Sequence, residues 1–235
     1  PIILTIYYSF TNLALTGSAA QNLKFIGLDN YTTMFSDPNV PKSIFNTLIF
    51  LIGSLIGQQL LGFIIAYNMR STKPIFRRIV GPIVLTGWVM PEMVVALCAT
   101  SFFDSDGTLN AVLGLIGIHN VEWLYAHAMV AVIISNIWRG VAFSMMVFQS
   151  ALDSVPSEIE EASRVDGANK LQALFRITIP YIKQTIATNT MLNTLQTLGV
   201  FGLIYSMTGG GPGTQTLTLP IFMYKQAFVS FQLGY

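Results

Sequence analysis

Long apolar runs alternate with short polar segments along most of this 235-residue chain. Four of the runs carry few charged residues and reach the roughly 20 residues that a helix needs to cross the hydrocarbon core of a bilayer. These runs are residues 43–69, 79–103, 126–152 and 181–207, and the apolar stretch 1–10 is typical of the end of a further span. The pattern therefore predicts an all-α fold, a polytopic transmembrane helical bundle.

The last stretch, residues 217–235, is a weaker match to a membrane span. Lys225 and Gln226 interrupt its apolar residues, and the rings of Tyr224 and Tyr235 suit a boundary between lipid and water. We expect an amphipathic helix on the outer surface here; a final span that begins at this point is the alternative. We also expect residues 1–235 to be one transmembrane domain from a longer protein, without its N-terminal tail and its last span.

The composition supports a membrane protein. Hydrophobic residues make up 52% of the chain and charged residues 10%, whereas soluble domains are about a quarter charged. The net charge of +1 comes without a dense basic face, which excludes nucleic acid as a partner. The single cysteine, Cys98, allows no intrachain disulfide and no paired-cysteine metal or redox motif.

Lysine and arginine residues indicate which side of the membrane each polar segment faces, because short cytoplasmic loops hold the excess of these residues. One basic cluster lies within 70–78, between the first two runs, and another lies within 164–183, after the third run. An even number of crossings separates the two clusters, so both are expected in the cytoplasm. The segments 26–41, 104–125 and 208–216 are then expected outside.

The cytoplasmic segment 153–180 has the pattern of a helix, a turn and a second helix. Asp166-Gly167 is expected to end the first helix, because glycine tolerates the left-handed conformation that is common at helix C-termini. The second helix is predicted from about Asn169 until Pro180 stops it. Its apolar face consists of Leu171, Leu174 and Phe175.

Three elements of this segment resemble the EAA loop of ABC-importer permeases, in the order and at the spacing of that family. They are Glu161-Ala162-Ser163, Asp166-Gly167-Ala168 and Ile177-Thr178-Ile179-Pro180. Ser163 and Ile179 depart mildly from the family's Ala and Leu. Short matches along nearly the whole chain, such as 25–31 and 138–140, are similar to the carbohydrate branch, the maltose-type permeases.

This resemblance implies a subunit that moves a sugar or oligosaccharide across a bacterial or archaeal inner membrane without covalent chemistry, and that is therefore not an enzyme. The implied partners are a homologous second permease, two ATPase subunits and an extracytoplasmic solute-binding protein, which segments 29–39 and 209–214 are candidates to touch. ATP and Mg²⁺ would bind the ATPase subunits, since this chain has no GxxxxGK[ST] phosphate loop, and no cofactor is expected on it.

The resemblance also implies that a short coupling helix docks on an ATPase subunit. The candidate ATPase-coupling residues are Glu161, Ala162, Ser163, Asp166, Gly167 and Ala168. A capped helix-turn-helix transmits a rigid-body motion that a flexible loop would absorb. A solvated acidic face is the alternative interpretation of this segment.

Solute contacts are implied on the two spans that flank the coupling loop. The candidates are Asn136, Arg139, Gly140 and Phe143 in one span, and Asn193, Gln196, Thr197 and Val200 in the other. Each set is spaced i, i+3, i+4 and i+7, which predicts one helical stripe. Amide side chains suit sugar hydroxyls, and an aromatic ring or a glycine suits the C–H faces of a sugar. Hydrogen bonding between neighbouring helices is the alternative role.

Glu92 is the ninth candidate solute contact. Glu92 and Arg139 carry the two charges predicted to lie within the membrane, where an unpaired arginine costs several kcal/mol. A pair between them would be structural, whereas a free Arg139 would select an acidic or phosphorylated solute or bond sugar hydroxyls. An ABC permease for an anionic solute, such as a glycerol phosphodiester, is therefore one alternative function. An ion-coupled secondary transporter is another, although such proteins use intramembrane carboxylates and often inverted repeats.

Overall fold

The computed structural model describes residues 2–72 and 74–235, without the side chains at positions 18, 19, 71, 74, 76, 160 and 164. Its named elements are all helical, which confirms the predicted all-α class. They are α1 Ile2–Ser9, α2 Ser18–Gln21, α3 Asp29–Ser36, α4 Asn39–Ser71, α5 Pro74–Val89, α6 Glu92–Phe103, α7 Thr108–Gly114, α8 Trp123–Ala126, α9 Ala128–Asp153, α10 Ser157–Val165, α11 Lys170–Ala173, α12 Ile179–Tyr181, α13 Lys183–Leu198, α14 Gly202–Thr208 and α15 Leu219–Tyr224. π-helical turns follow α11 and α15, at Leu174–Thr178 and Lys225–Val229.

Two of the predicted spans are continuous helices. Helices α4 and α9 are long and apolar enough to cross a membrane, as predicted for 43–69 and 126–152. Helix α4 runs for 33 residues with its one proline, Pro41, in the first turn, and α9 runs for 26 residues without proline. A proline in a helix interior removes a hydrogen bond and clashes with the preceding turn, so both sequences favour uninterrupted helices.

The other two predicted spans are interrupted. The run 79–103 is divided at Met90-Pro91, where the helices on either side meet at a bend of 105°. Pro91 has no backbone N–H, and its ring clashes with the preceding turn, which breaks the helix. The run 181–207 is divided at Gly199, which caps α13. The described residues therefore hold two continuous helices of membrane-crossing length, or three crossings if the bent pair counts as one.

The chain forms two compact units. The first comprises Pro1–Phe50, Thr100–Met129 and Val200–Tyr235, and the second comprises Leu51–Ala99 and Val130–Gly199. The second unit contains the predicted coupling segment and every predicted solute contact except Val200.

Glycine residues let α4 and α9 approach closely within the second unit. A Cβ on Gly62 would lie 2.5 Å from Ser144 Cβ and 3.0 Å from the backbone nitrogen of Met145. A Cβ on Gly53 would lie 3.0 Å from Ile133 Cδ1. Such contacts between small and large residues are how membrane helices pack without a hydrophobic driving force. The apolar core beside this contact consists of Ala66, Met69, Met145, Phe148, Ala151, Leu152, Val155 and Ile182.

In the first unit, α4 holds the chain that follows α14. The Asn46 side-chain amide donates to the carbonyls of Thr214, at 2.7 Å, and Leu217, at 3.1 Å. The Thr47 hydroxyl accepts from the backbone N–H of Leu219 at 2.8 Å. Because Asn46 is buried, these bonds satisfy polar groups that would otherwise be costly.

The stretch 217–235 is helical only from Leu219 to Val229, through α15 and its π-helical turn. This length is well short of the roughly 20 residues that a membrane-crossing helix needs. The position of this segment on the outer surface stays a prediction.

Candidate functional site

The two charges predicted to lie within the membrane form an ion pair. Glu92 is the first residue of α6, directly after the break at Pro91, and Arg139 lies on α9. Glu92 Oε1 lies 3.2 Å from Arg139 Nη1, and their side chains are 32% and 28% exposed respectively. A carboxylate at a helix N-terminus is also favoured by the helix dipole. This pairing removes the argument for an anionic solute that a free Arg139 would give.

The ion pair involves Nη1 of the Arg139 guanidinium and leaves its Nε donor, which is buried, without a hydrogen-bond partner among the described residues. The side-chain Nδ2 of Asn136, one turn earlier on α9, is also buried and without a partner among them. Because a buried donor without a partner costs free energy, these two atoms are candidate positions for an added acceptor such as a water or a solute oxygen.

The first predicted stripe is located on α9, and half of it contacts α4. Asn136 is buried, and its backbone carbonyl accepts from Gln58 Nε2 at 3.0 Å. Gly140 lies against the same glutamine side chain, which occupies the space that a Cβ would need. Phe143, which is half-buried, contacts Trp88 instead.

An aromatic pair lies close to the ion pair in the chain. The rings of Trp88 and Phe143 have centroids 6.3 Å apart at an interplanar angle of 31°. Phe143 follows Arg139 by four residues on α9, so the two side chains share a face of that helix. Trp88 precedes Glu92 by four residues and is 43% exposed. A flat ring beside a polar group is an arrangement that suits a sugar.

The second predicted stripe is divided by the structure. Asn193, Gln196 and Thr197 lie on α13, but Val200 follows the cap at Gly199 and belongs to the first unit. The prediction that all four share one helical stripe is therefore wrong, because the helix ends before the fourth position. Asn193 and Thr197 are buried, whereas Gln196 is exposed.

Asn193 bonds a neighbouring helix. Its Nδ2 donates to the hydroxyl of Ser144 on α9 at 2.7 Å. Asn189, one turn earlier, donates from Nδ2 to Gln59 Oε1 on α4 at 2.9 Å. Both asparagines are buried, so in this conformation they connect α13 to its neighbours.

The sequence interpretation did not identify several polar residues of this region. Gln58 and Gln59 interrupt the apolar run 43–69 with two adjacent amides, and Asn189 extends the buried face of α13 by one turn. Amides inside a membrane span form hydrogen bonds between helices or contact solutes. The position of these amides in apolar runs could therefore have identified them from the sequence.

The candidate coupling segment is a helix, a turn and a second helical run. Gly167 has φ of +81°, in the left-handed region, just after α10. The N–H of Ala168 donates to the carbonyl of Ser163 at 3.0 Å across this turn, as in a Schellman motif. Asn169 then caps α11, and its side chain and that of Gln172 each accept the other's backbone N–H.

The second helical run has its predicted extent to within one residue at each end. It begins at Lys170, as expected, and continues through the π-helical turn and α12 to Tyr181. Pro180 is the second-last residue of this run, and a turn at Ile182 separates the run from α13.

The predicted coupling residues present a mixed surface. Glu161, Ala162, Asp166 and Gly167 are exposed, Ala168 is half-buried and Ser163 is buried. A concave region of about 450 Å³ lies beside them. Four large apolar side chains in the described part of the segment are exposed, namely Val165 at 88%, Leu171 at 66%, Phe175 at 64% and Ile159 at 40%. Of the predicted apolar face, only Leu174 is buried.

Two arginines connect the start of the coupling segment to other helices of the second unit. Arg77 on α5 pairs with Asp153, the last residue of α9, with Nη2 and Oδ2 2.8 Å apart. Arg70 on α4 donates from Nη2 to the carbonyl of Val155 at 3.3 Å.

Comparisons with known proteins identify the family. Residues 58–233 match the model of the family described as binding-protein-dependent transport system inner membrane component. The chain is 31% identical, over its whole length and 76% of the relative, to the sulfoquinovosyl glycerol transport system permease protein SmoG of Agrobacterium fabrum. It is 33% identical, over its whole length and 80% of the relative, to the multiple sugar-binding transport system permease protein MsmF of Streptococcus mutans.

Solved structures agree with this assignment. The chain resembles a chain in the crystal structure of a bacterial alginate ABC transporter in complex with an alginate pentasaccharide-bound periplasmic protein. The TM-score is 0.78 at 26% identity, over 89% of this chain and 75% of the other. The family match covers most of the chain, including the segment with Asp166-Gly167-Ala168. This chain belongs to the family of inner membrane components of binding-protein-dependent transport systems.

Proposed function

We propose that this chain is a permease subunit of an ATP-driven, binding-protein-dependent importer of a sugar or oligosaccharide. The family match over residues 58–233 carries the proposal. The relatives named above are permease proteins of sulfoquinovosyl glycerol and multiple-sugar systems, and a third, MalF of Thermococcus litoralis, 30% identical over 89% of this chain, belongs to a trehalose/maltose system. These solutes differ but all contain a sugar, so the proposal is made for the class.

The proposed assembly contains a homologous second permease, two ATPase subunits that bind ATP and Mg²⁺, and an extracytoplasmic solute-binding protein. The family description and the alginate transporter in complex with its periplasmic protein support such partners. In this arrangement the basic segments 70–78 and 164–183 face the cytoplasm, and the segments 29–39 and 209–214 face the binding protein.

The helix α10 and the turn after it are the proposed docking element for an ATPase subunit. The left-handed Gly167 and the capping box at Asn169 fix the direction of the chain between α10 and α11. The exposed Val165, Leu171 and Phe175 supply apolar surface that a partner would cover. Three residues separate α10 from the end of α9 at Asp153, and Arg77 on α5 pairs with Asp153 there. A movement of α10 would therefore reach α9 through the short connecting chain and α5 through this ion pair.

The proposed solute path follows α9. Trp88, Arg139 and Phe143 are partly exposed and are positioned to contact a sugar first. Asn136, Asn193 and Thr197 are buried in the described conformation, so they contact solute only after neighbouring helices separate. Alternating access between inward and outward states would supply that separation.

Stimulated ATP hydrolysis tests the proposed partnership. The complete complex is reconstituted in nanodiscs, and its ATPase activity is measured with the binding protein, with and without the sugar that this binding protein retains. We expect the loaded binding protein to raise ATP hydrolysis severalfold, and we expect no stimulation when this chain is omitted. Equal stimulation without this chain would contradict the proposal.

A further inference from the structure

The Glu92–Arg139 pair is isolated in the sequence from other charges. Glu92 is the single charged residue between Arg78 and Asp104, and Arg139 is the single Asp, Glu, Lys or Arg between Glu122 and Asp153. Both residues therefore lie in long apolar stretches, where charge is costly unless it is paired. A solute that passes this point meets these two charges and no third one on the same stretches.

The geometry leaves the pair accessible and incompletely saturated. Glu92 Oε1 lies 3.2 Å from Arg139 Nη1, one of the two terminal nitrogens of the guanidinium. Arg139 Nε has no partner among the described residues, and about a third of each side chain is exposed. Added hydrogen-bond acceptors can therefore reach the exposed part of the Arg139 side chain while the pair stays in place, whereas Nε itself is buried.

The net charge of the pair decides which acceptors are favourable. An uncharged hydroxyl accepts from Arg139 without disturbing Glu92. A solute carboxylate or sulfonate is repelled by Glu92, and to bind Arg139 it must displace that carboxylate and leave it unpaired in an apolar segment. A charged residue without a partner in such an apolar stretch is costly.

We propose that Glu92 sets the charge specificity of the translocation path: with Arg139 neutralised, the site takes an uncharged sugar unit, and without the Glu92 carboxylate it takes an acidic one. This inference rests on the proposed function and names the solute class of that path. Glu92 acts here by occupying Arg139, and the aromatic pair of Trp88 and Phe143 provides the adjoining surface for the C–H face of the sugar.

The experiment compares two sugars that differ by a single charge. Cellobiose and cellobiouronic acid, in which one CH₂OH is replaced by a carboxylate, are titrated by equilibrium dialysis against the complete detergent-purified complex without its binding protein. The measured quantity is the ratio of the two dissociation constants, acid over neutral. We expect wild type to bind cellobiose at least tenfold more tightly than the acid.

Three variants isolate the role of the pair. We expect Glu92→Gln to lower the ratio at least tenfold, and Glu122→Gln, which removes an exposed carboxylate elsewhere, to leave it unchanged. The double variant Glu92→Arg with Arg139→Glu restores a neutral pair and is expected to return the ratio to within threefold of wild type; this also shows that the site folds with altered residues.

Three results would overturn the inference: a wild-type complex that binds the acid as tightly as cellobiose, one that binds neither sugar, or an unchanged ratio in Glu92→Gln. If ATP hydrolysis is still stimulated by the loaded binding protein in the same preparation, the proposed function stands and only the charge specificity fails. Loss of that stimulation in wild type would instead contradict the proposed function.

Discussion

The side-chain amide of Gln58 on α4 donates a 3.0 Å hydrogen bond to the backbone carbonyl of Asn136 on α9. A carbonyl oxygen has two lone pairs, so it accepts this bond in addition to any bond within its own helix. Gly140, one turn later, provides the space for the glutamine side chain. A buried amide is thus satisfied at the contact between the two continuous long helices of the described chain, next to the candidate solute site.

Gly140→Ala is expected to destabilise the protein by about 1–3 kcal/mol, because the added Cβ overlaps the buried Gln58 amide, which cannot move without losing its hydrogen bond to Asn136. Thermal unfolding of the detergent-solubilised complex measures the effect. The same change in a Gln58→Ala background should cost less, because the space is then free. Gly81→Ala is the control, since its Cβ would lie 3.7 Å from Met69 Cε, an ordinary contact. Equal midpoints for Gly140→Ala and Gly81→Ala would argue against the close contact.

Two other glycines of α4 are expected to differ in their tolerance of alanine. At Gly62 the new Cβ meets Ser144 Cβ and the Met145 backbone, which can move only with α9. At Gly53 it meets the end of the flexible Ile133 side chain. We therefore expect Gly62→Ala to lower the unfolding midpoint clearly, by about 1–3 kcal/mol of stability, and Gly53→Ala to be near neutral once the gain in helix propensity is included. The reverse order would show that α4 does not pack on α9 as described.

Gly167→Pro is expected to abolish the stimulation of ATP hydrolysis by the loaded binding protein while leaving membrane insertion intact. Proline is locked near φ −65°, whereas Gly167 has φ of +81°, so the turn between α10 and α11 cannot form. Gly167→Asn is the matched control, because asparagine tolerates the left-handed region, and it should keep most of the stimulation. Stimulation that survives Gly167→Pro would refute the coupling role of this turn.

Tyr235 provides a pH-dependent test of the first unit. Its hydroxyl donates to Asp37 Oδ2 at 3.1 Å, and burial, followed by this hydrogen bond, raises the pKa of Tyr235 to about 12. The unfolded value is about 10. A raised pKa means that the contribution to stability is present below pH 10 and is lost as pH rises from about 10 to about 12.

The pKa of Tyr235 is measured by titrating phenolate absorbance in wild type and in Asp37→Ala. In each background the titration of the same protein with Tyr235→Phe is subtracted, which leaves the signal of Tyr235. We expect Asp37→Ala to bring the pKa of Tyr235 only partway back toward 10, because burial is the larger cause of the shift. A full return to 10 would assign the shift to Asp37 instead.

The lengths of the apolar runs, and the residues that favour helix ends and turns, predicted much of the fold. The spans 43–69 and 126–152 became α4 and α9 because nothing in their interiors interrupts a helix. Asp166-Gly167 and Asn169 mark the turn and the next helix start, since their conformational preferences are local. The 105° bend at Met90-Pro91 was only partly predictable, because a proline indicates that a helix can break but does not determine the angle between the two parts.

The site was less predictable, because side-chain partners across helices are non-local. The sequence marked Glu92 and Arg139 as the charges to explain, but it could not decide whether they pair. It also did not show that Gln58 would form a hydrogen bond with α9, or that Asn189 would form one with α4. Val200 was misplaced because a spacing pattern continues through Gly199, whereas the helix does not.

Uptake of radiolabelled sugar into proteoliposomes tests ATP-driven import through this chain most directly. The complete complex is reconstituted, the sugar retained by its binding protein is supplied on the binding-protein side, and ATP is supplied on the ATPase side. We predict that uptake requires both ATP and the loaded binding protein and is lost with Gly167→Pro. Uptake driven by an ion gradient alone, without ATP, would contradict the proposed function.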